Sequence, residues 1–461
     1  MLTGVLDIYD LILSPIYLLF IFFIAKNYQF KKIKKNPQFK YFTIGLFAKI
    51  FGGICVCLIY VFYYKGGGDT IGYYDDTITM LRLADKNPSV FTSIMFGNTS
   101  LENYSFFDSQ TGFSYYYLDG YSFFVVRLSV FITLLGSKSY ICTTILISTI
   151  TYSGIWSLYQ LLYKQFNEIK SQVAFSVLFV PSVFFWGSGM LKDSYTLAAL
   201  CWFIVGVYSI LILKKKFIFS ILVMVISFFI MLKIKPYIFY SSFAGALIMY
   251  GHYFLKGSKN AMLKYTVFPI AAVLLIIGGS SLMFKIGSTS GEYSSLDKMF
   301  VKASASQYDL KQAYYGGNRF DIGSFDPTLS GVLSKAPVAM TAGLFRPFLW
   351  EARNPVMLVS AIENSVLLFL FFSVILLCIV ASIKTSVRRM LKIAFDNSLI
   401  IFSLVFSFTF AFAVGLSTAN FGALVRYKIP LIPFFLASLF YIIYRFNQED
   451  AEKAIAQKEK H

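Results

Sequence analysis

The chain has 461 residues, 57% of them hydrophobic and 14% charged, a balance that excludes an ordinary soluble domain and belongs to polytopic membrane proteins. A formal net charge of +18 does not signal nucleic acid, because the cations cluster in short runs between apolar stretches of about 20 residues, as topology signals do. Five cysteines, all inside apolar stretches, and only two histidines argue against a disulfide framework, a Cys/His metal site and a histidine-based triad.

In chain order, apolar stretches fall at 9–25, 41–63, 139–163, 172–190, 194–213, 217–233, 237–255, 266–284, 357–383, 395–416 and 429–445. Each can cross about 30 Å of hydrocarbon as a helix, and non-helical backbone cannot face lipid. The expected fold class is an all-α polytopic membrane protein, a single integral membrane domain over 1–461 with about eleven transmembrane helices. The first 25 residues lack a basic leader and a small-residue cleavage site and carry Asp7 and Asp10, so they read as a retained span rather than a signal peptide.

The cation runs at 26–40, 214–216, 256–264 and 384–392 are expected on the cytoplasmic side. This parity places the N-terminus outside, the tail 446–461 inside, and two long loops, 64–138 and 285–356, outside. The segment 121–136 is apolar but short and contains Arg127. Because a crossing there would reverse every later basic loop, it reads as an interfacial or re-entrant helix. The outer loops hold too many aromatics to be disordered and are expected to fold onto the bundle. Neither a Walker loop nor a Rossmann glycine fingerprint is present, so ATP and dinucleotides are not expected.

The charged residues of the outer level point to a site. They are Asp69, Asp75 and Asp76 in "KGGGDTIGYYDD"; Lys192 and Asp193 in "FFWGSGMLKDSY"; Lys233 and Lys235; Arg346, Glu351 and Arg353 in "LFRPFLWEARNP"; Glu363; and Arg426 and Lys428 in "ANFGALVRYK". Ionisable groups at the edge of the hydrocarbon are costly unless paired or facing water, which suggests a polar cleft. Plainer readings stand beside this one. Lys192 and Asp193 also fit a snorkelling ion pair, and Lys233, Lys235 and Lys428 fit interfacial anchors. Arg346 and Arg426 adjoin proline-bearing breaks, where helix ends offer unpaired backbone groups. Glu363 reads as a partner for an arginine or as an acid. The run Gly66–Gly68 before Asp69 reads as a flexible turn or as a close approach to a ligand. Guanidinium and ammonium groups at a bilayer interface suit an anionic headgroup with a lipid tail, such as a polyprenyl phosphate or pyrophosphate. The stretch 104–124, with its tyrosines, suits either sugar rings or an aromatic belt.

Four phrases carry a resemblance: "GGGDTIGYY" (66–74), "PSVFFWGSGMLKDSY" (181–195), "LFRPFLWEARNPVMLVSAIENSVLL" (344–368) and "NFGALVRYKIPLIPF" (420–434). Together they resemble bacterial multi-span polymerases of O-antigen and capsular polysaccharide. The resemblance implies a helical, glycosyltransferase-C-like fold in the inner membrane with a periplasm-facing active site. The reaction it implies is transfer of a glycan from polyprenyl pyrophosphate onto a sugar hydroxyl of another lipid-linked repeat. Arginines that hold the pyrophosphate match Arg346 and Arg426, with Lys192 as a further cation and Arg319 as a helper. Asp69, Asp193 and Glu351 are the candidates for activating the hydroxyl. Glu363, Lys428, Tyr73 and Tyr116 complete the expected substrate-binding set. No metal and no cofactor are expected; the partners are the bilayer, a polyprenyl-linked oligosaccharide and other polysaccharide-assembly proteins, with no nucleic acid. The chain departs from the ligases of that superfamily in having no outer histidine. The alternatives are a glycosyltransferase using a polyprenyl monophosphate sugar, and a flippase or transporter of lipid-linked glycans, which would want charges near mid-membrane, where Lys49 is the main one.

Overall fold

The computed structural model describes residues 5–65, 67–215, 217–256, 295–312 and 318–458. The expected span at 266–284 and Gly66 lie outside the described residues. Among those described, the chain is mostly helical, and an isolated antiparallel bridge pairs Arg319 with Asn420.

Among the described residues, seven helices are long and apolar enough to cross a membrane: Ile8–Ile33, Pro37–Tyr63, Tyr140–Gln165, Lys192–Leu211, Phe217–Ile234, Met357–Lys384 and Ser398–Ser417. An eighth span is formed if Phe421–Tyr427 and Ile432–Glu449, bent by 68° at their break, are taken together. Only 17% of the apolar window of Ile8–Ile33 and 11% of that of Met357–Lys384 is buried within the protein, so their apolar faces are left for lipid. The expected stretch 237–255 is a helix, Pro236–Lys256, outside that set. The expected stretch 172–190 is not continuous. A helix over Lys170–Ala174 opens into a wider turn, restarts at Pro181 and ends at Trp186. Proline supplies no N–H and drives the preceding Val180 to extended backbone (φ −72°, ψ 122°), which interrupts the ladder. The segment 121–136 forms the short apolar helix Gly120–Leu135. Its Arg127 donates from Nε (3.0 Å) and Nη2 (2.5 Å) to the Met95 carbonyl.

The chain divides into two compact units: Met1–Tyr163 with Leu178–Val205 and Leu222–Lys235, and Lys164–Val177 with Gly206–Ile221 and Pro236–His461. In the first, the loop 64–138 is folded rather than linker-like. Helices Asp69–Lys86, Pro88–Met95 and Gly120–Leu135 enclose an aromatic core in which Tyr104, Phe107, Tyr117 and Phe123 interlock at ring separations of 4.9–5.7 Å. Gly68 opens the first of these helices at φ 98°, and a Cβ there would stand 2.7 Å from the Tyr60 ring, so glycine is required on both counts. Asp10, 3% exposed, accepts hydrogen bonds from the Ser139 hydroxyl and the Ile141 N–H, tying the first span to the start of Tyr140–Gln165.

In the second unit, Ser398–Ser417 is central. Phe402, Phe406 and Phe410 recur every fourth residue and stack at 5.7 and 5.4 Å. Helix Ala336–Phe345 crosses this one through small residues: a Cβ on Gly343 would lie 2.1 Å from the Ala411 carbonyl oxygen, and one on Gly415 would lie 1.9 Å from that of Ala339. Such close backbone approach is the way apolar helices associate where the hydrophobic effect gives no drive.

Candidate functional site

The second unit gathers charged residues at the end of Ala336–Phe345. Pro347 closes that helix, and Arg346 before it takes extended backbone (φ −88°, ψ 150°); the peptide between them is cis. The chain then makes one short turn, Leu349–Glu351, which aims the Glu351 carboxylate back at Arg346. Arg346 Nε donates to both carboxylate oxygens (3.0 and 3.1 Å), Nη2 donates to Oε1, and the Phe348 N–H completes the set at 2.9 Å. The guanidinium also lies 4.8 Å from the Phe320 ring and 5.5 Å from the Phe421 ring, which stack on each other at 5.0 Å. Backbone pairing brings those rings together: Phe320 N–H donates to the Ala419 carbonyl (3.0 Å) and Phe421 N–H to that of Asn318 (2.9 Å).

A guanidinium has five N–H groups in a plane. Glu351 occupies the Nε/Nη2 edge, and Nη1 has no protein partner among the described residues, on a side chain that is 20% exposed. Arg346 is thus oriented by one acid and two rings with one edge left for an acceptor. A second bidentate acceptor of matching geometry is a phosphate or carboxylate.

Lys428 lies beneath this turn. The sequence "RYKIPLIP" breaks a span here because Pro430 cannot donate and disfavours helix at Ile429. Lys428 is 1% exposed, and its ammonium donates to the carbonyl oxygens of Leu344 (3.3 Å) and Arg346 (3.0 Å) and to Asn364 Oδ1. Three donors meet three acceptors, so the expectation of an interfacial anchor gives way to a buried clamp. No ammonium hydrogen is left for a ligand, which moves Lys428 out of direct substrate contact. Asn364 in turn donates to the Pro347 carbonyl at 3.0 Å. Glu363 is half-buried next to Asn364 on the same helix. Arg426 is half-buried on the short helix that carries Phe421, 5.9 Å from the Tyr427 ring. Arg319 is exposed and donates to the Lys311 carbonyl at 2.8 Å.

Of the expected residues, the second unit therefore groups Arg346, Glu351, Lys428 and Glu363, with Arg319 in the bridge that carries the rings. Phe320, Phe421 and Asn364 were not expected. Phe320 adjoins Arg319, Asn364 adjoins Glu363 and Phe421 opens the helix that carries Arg426, but aromatic and amide side chains in apolar surroundings carry no signal of their own.

The first unit holds the other candidates. Lys192 and Asp193 open helix Lys192–Leu211 and have partners on different elements, which overturns the reading of a pair at a turn. Asp193 has no exposed side-chain surface and accepts from Lys235 at 2.5 Å, while Lys192 lies 3.7 Å from Asp119. Lys235 is accordingly buried and not an interfacial anchor; Lys233 is exposed over the Phe229 ring. Asp69 is half-buried as the first residue of its helix. Tyr73, 1% exposed, packs its ring 4.7 Å from that of Tyr116. Burial removes Tyr73 as a face for sugars and makes it core. Asp76, also buried, accepts from the Ser114 hydroxyl and from the N–H groups of Tyr115 and Tyr116 at 2.7–2.8 Å, fixing the aromatic loop; burial pushes its carboxyl up, and these three bonds oppose the shift. Lys49 is 3% exposed and donates to the Gly187 carbonyl, which the break after Trp186 leaves available.

Comparison with known proteins finds no matching family model, curated protein or solved structure. The long apolar helices embed the protein in a membrane.

Proposed function

We propose that the chain is a polysaccharide polymerase that transfers glycan from a polyprenyl pyrophosphate to a hydroxyl of a lipid-linked acceptor. Arg346 carries the reading: a guanidinium held on one edge by Glu351, with Nη1 unoccupied, at a break between apolar helices. In the reaction the bond from the sugar C1 to the pyrophosphate oxygen breaks and a bond from C1 to the acceptor oxygen forms. The hydroxyl proton passes to a carboxylate and the pyrophosphate departs with its charge. Arg346, with Arg426 on the neighbouring helix, stabilises that departing charge where water is scarce. Glu351, with both oxygens engaged, orients the guanidinium. Asp193 is enclosed against Lys235, which takes it out of contact with an acceptor hydroxyl.

This reading goes with eleven crossings of the inner membrane, loops 64–138 and 285–356 on the periplasmic side, and the basic run 384–392 in the cytoplasm. Its test is deletion of the gene followed by gel analysis of surface glycans, with complementation by variants. Deletion leaves one repeat per lipid carrier. Arg346→Ala fails to restore long chains, and Arg346→Lys, which keeps the charge but loses the planar fork, restores only short ones. Unchanged chain lengths on deletion sink the polymerase assignment, and a normal ladder in Arg346→Ala sinks the clamp.

A further inference from the structure

We infer that the second unit binds the headgroup of an anionic phospholipid, through Arg388 and Lys392, at the connection between spans Met357–Lys384 and Ser398–Ser417. Only residues 385–397 join these two spans, so the helix Val387–Ala394 within the connection is held at the membrane interface. Ser386 caps it by accepting from the Arg389 N–H at 3.3 Å. Its residues sort by face. Ile393 and Ala394 pack inward at 8% and 1% exposure, whereas Val387, Leu391 and, one residue beyond the helix, Phe395 recur every fourth position at 58%, 46% and 36%. An exposed apolar stripe flanked by Arg388, Arg389 and Lys392 is the pattern of a helix lying in the plane of the interface, stripe toward the acyl region.

Behind this helix is a cavity of about 1620 Å³. Five cations line it, Lys256, Arg388, Arg389, Lys392 and Arg445, against two carboxylates, Asp396 and Glu449. Both carboxylates are taken. Asp396 receives Arg445 at 3.1 Å and the Tyr441 hydroxyl at 3.2 Å, and Glu449 receives Arg389 at 2.6 Å. Lys256 donates to the Asp396 carbonyl at 2.6 Å. Arg388 and Lys392 are exposed and have no ion-pair partner among the described residues. A phosphodiester answers this excess of positive charge, since its oxygens accept from a guanidinium and an ammonium together. The adjoining apolar stripe selects lipid over soluble phosphate, which gains nothing from Val387, Leu391 or Phe395.

The test uses the full-length protein in neutral detergent, titrated with short-chain phosphatidylglycerol, short-chain phosphatidylcholine and inorganic phosphate, with binding read by thermophoresis. Phosphatidylglycerol is expected to bind, and the other two are not at the same concentrations. At a factor of about five per basic residue, R388Q/K392Q weakens binding about 25-fold, and the charge-keeping R388K/K392R retains most of it. Leu391→Ser, with every cation intact, weakens it severalfold. Equal binding of the two lipids overturns the proposal. Displacement of phosphatidylglycerol by millimolar phosphate together with indifference to Leu391→Ser also overturns it, in favour of a soluble anion. Should R388Q/K392Q fail to fold, R388K/K392R and Leu391→Ser still decide the outcome.

Discussion

Replacing Lys428 by methionine isolates the contribution of the buried clamp, because methionine nearly matches the lysine stem in length and removes only the ammonium. In the native protein that ammonium satisfies the Leu344 and Arg346 carbonyls and Asn364 Oδ1. Two terms oppose each other in the variant. Leaving a buried acceptor unsatisfied costs about 1–3 kcal/mol, and there are three. Removing a buried cation returns several kcal/mol of desolvation. Leu344 and Asn364, at 2% and 1% exposure, admit little water to their acceptors, so the first term wins. The expected net loss is about 3 kcal/mol, at the low end for one-sided deletion of a buried ionic contact. The assay is thermal unfolding of the purified full-length protein, in which a change of this size lowers the midpoint by about 3 °C. Activity falls further than stability, because the carbonyl released at Arg346 belongs to the turn that presents the guanidinium to its ligand. A variant within about 0.5 kcal/mol of wild type, making chains of normal length, would falsify the view of Lys428 as the residue that fixes this turn.

Three further outcomes follow from the packing and the charges. Gly415→Ala places a methyl 1.9 Å from the Ala339 carbonyl oxygen and forces apart the helix that ends at Arg346. It is expected to cost about 3 kcal/mol, measured as lost thermal stability, whereas Gly120→Ala, with nothing within 4 Å of its added methyl, leaves the midpoint unchanged. Lys235→Met strands the enclosed Asp193 and costs about 3–5 kcal/mol. The double variant D193L/K235M recovers most of that, and long-chain product from it would show that Asp193 takes no part in chemistry. Partial burial pushes the Asp119 carboxyl up, but Lys192, the Ser122 hydroxyl and the N–H groups of Ser122 and Tyr121 outweigh it and hold it below the usual carboxylate range. A folded value below the unfolded one stabilises above about pH 4 and is lost as pH falls through the folded value. Asp119→Asn therefore lowers stability at neutral pH and flattens the acid limb of the stability profile; an unchanged acid limb refutes the pairing with Lys192.

Residues whose role depends on their own neighbours in sequence were legible, and those whose partners come from afar were not. The hydropathy pattern marked the spans Met357–Lys384 and Ser398–Ser417, because apolar length alone decides whether a helix can cross. The prolines at 347 and 430 marked the breaks beside Arg346 and Arg426, since proline acts on the residue before it wherever it stands. Arg346 and Glu351, five residues apart, were both selected, and the pairing closes over a single turn. Partnership over long separations is another matter. Lys428 reads from sequence as an anchor or a substrate contact because a lysine near a span end usually snorkels, and nothing local records that Leu344, Arg346 and Asn364 converge on it. Lys192 and Asp193 are adjacent in sequence, yet successive helical residues point in different directions, so one meets Asp119 and the other Lys235. The same geometry explains why Tyr73 and Asp76, three apart on Asp69–Lys86, are both buried against the aromatic loop while Asp69 at the helix start is not. A carboxylate enclosed in this way is committed to the fold, and that commitment, rather than its residue type, separates Asp76 and Asp193 from a group able to reach a substrate hydroxyl.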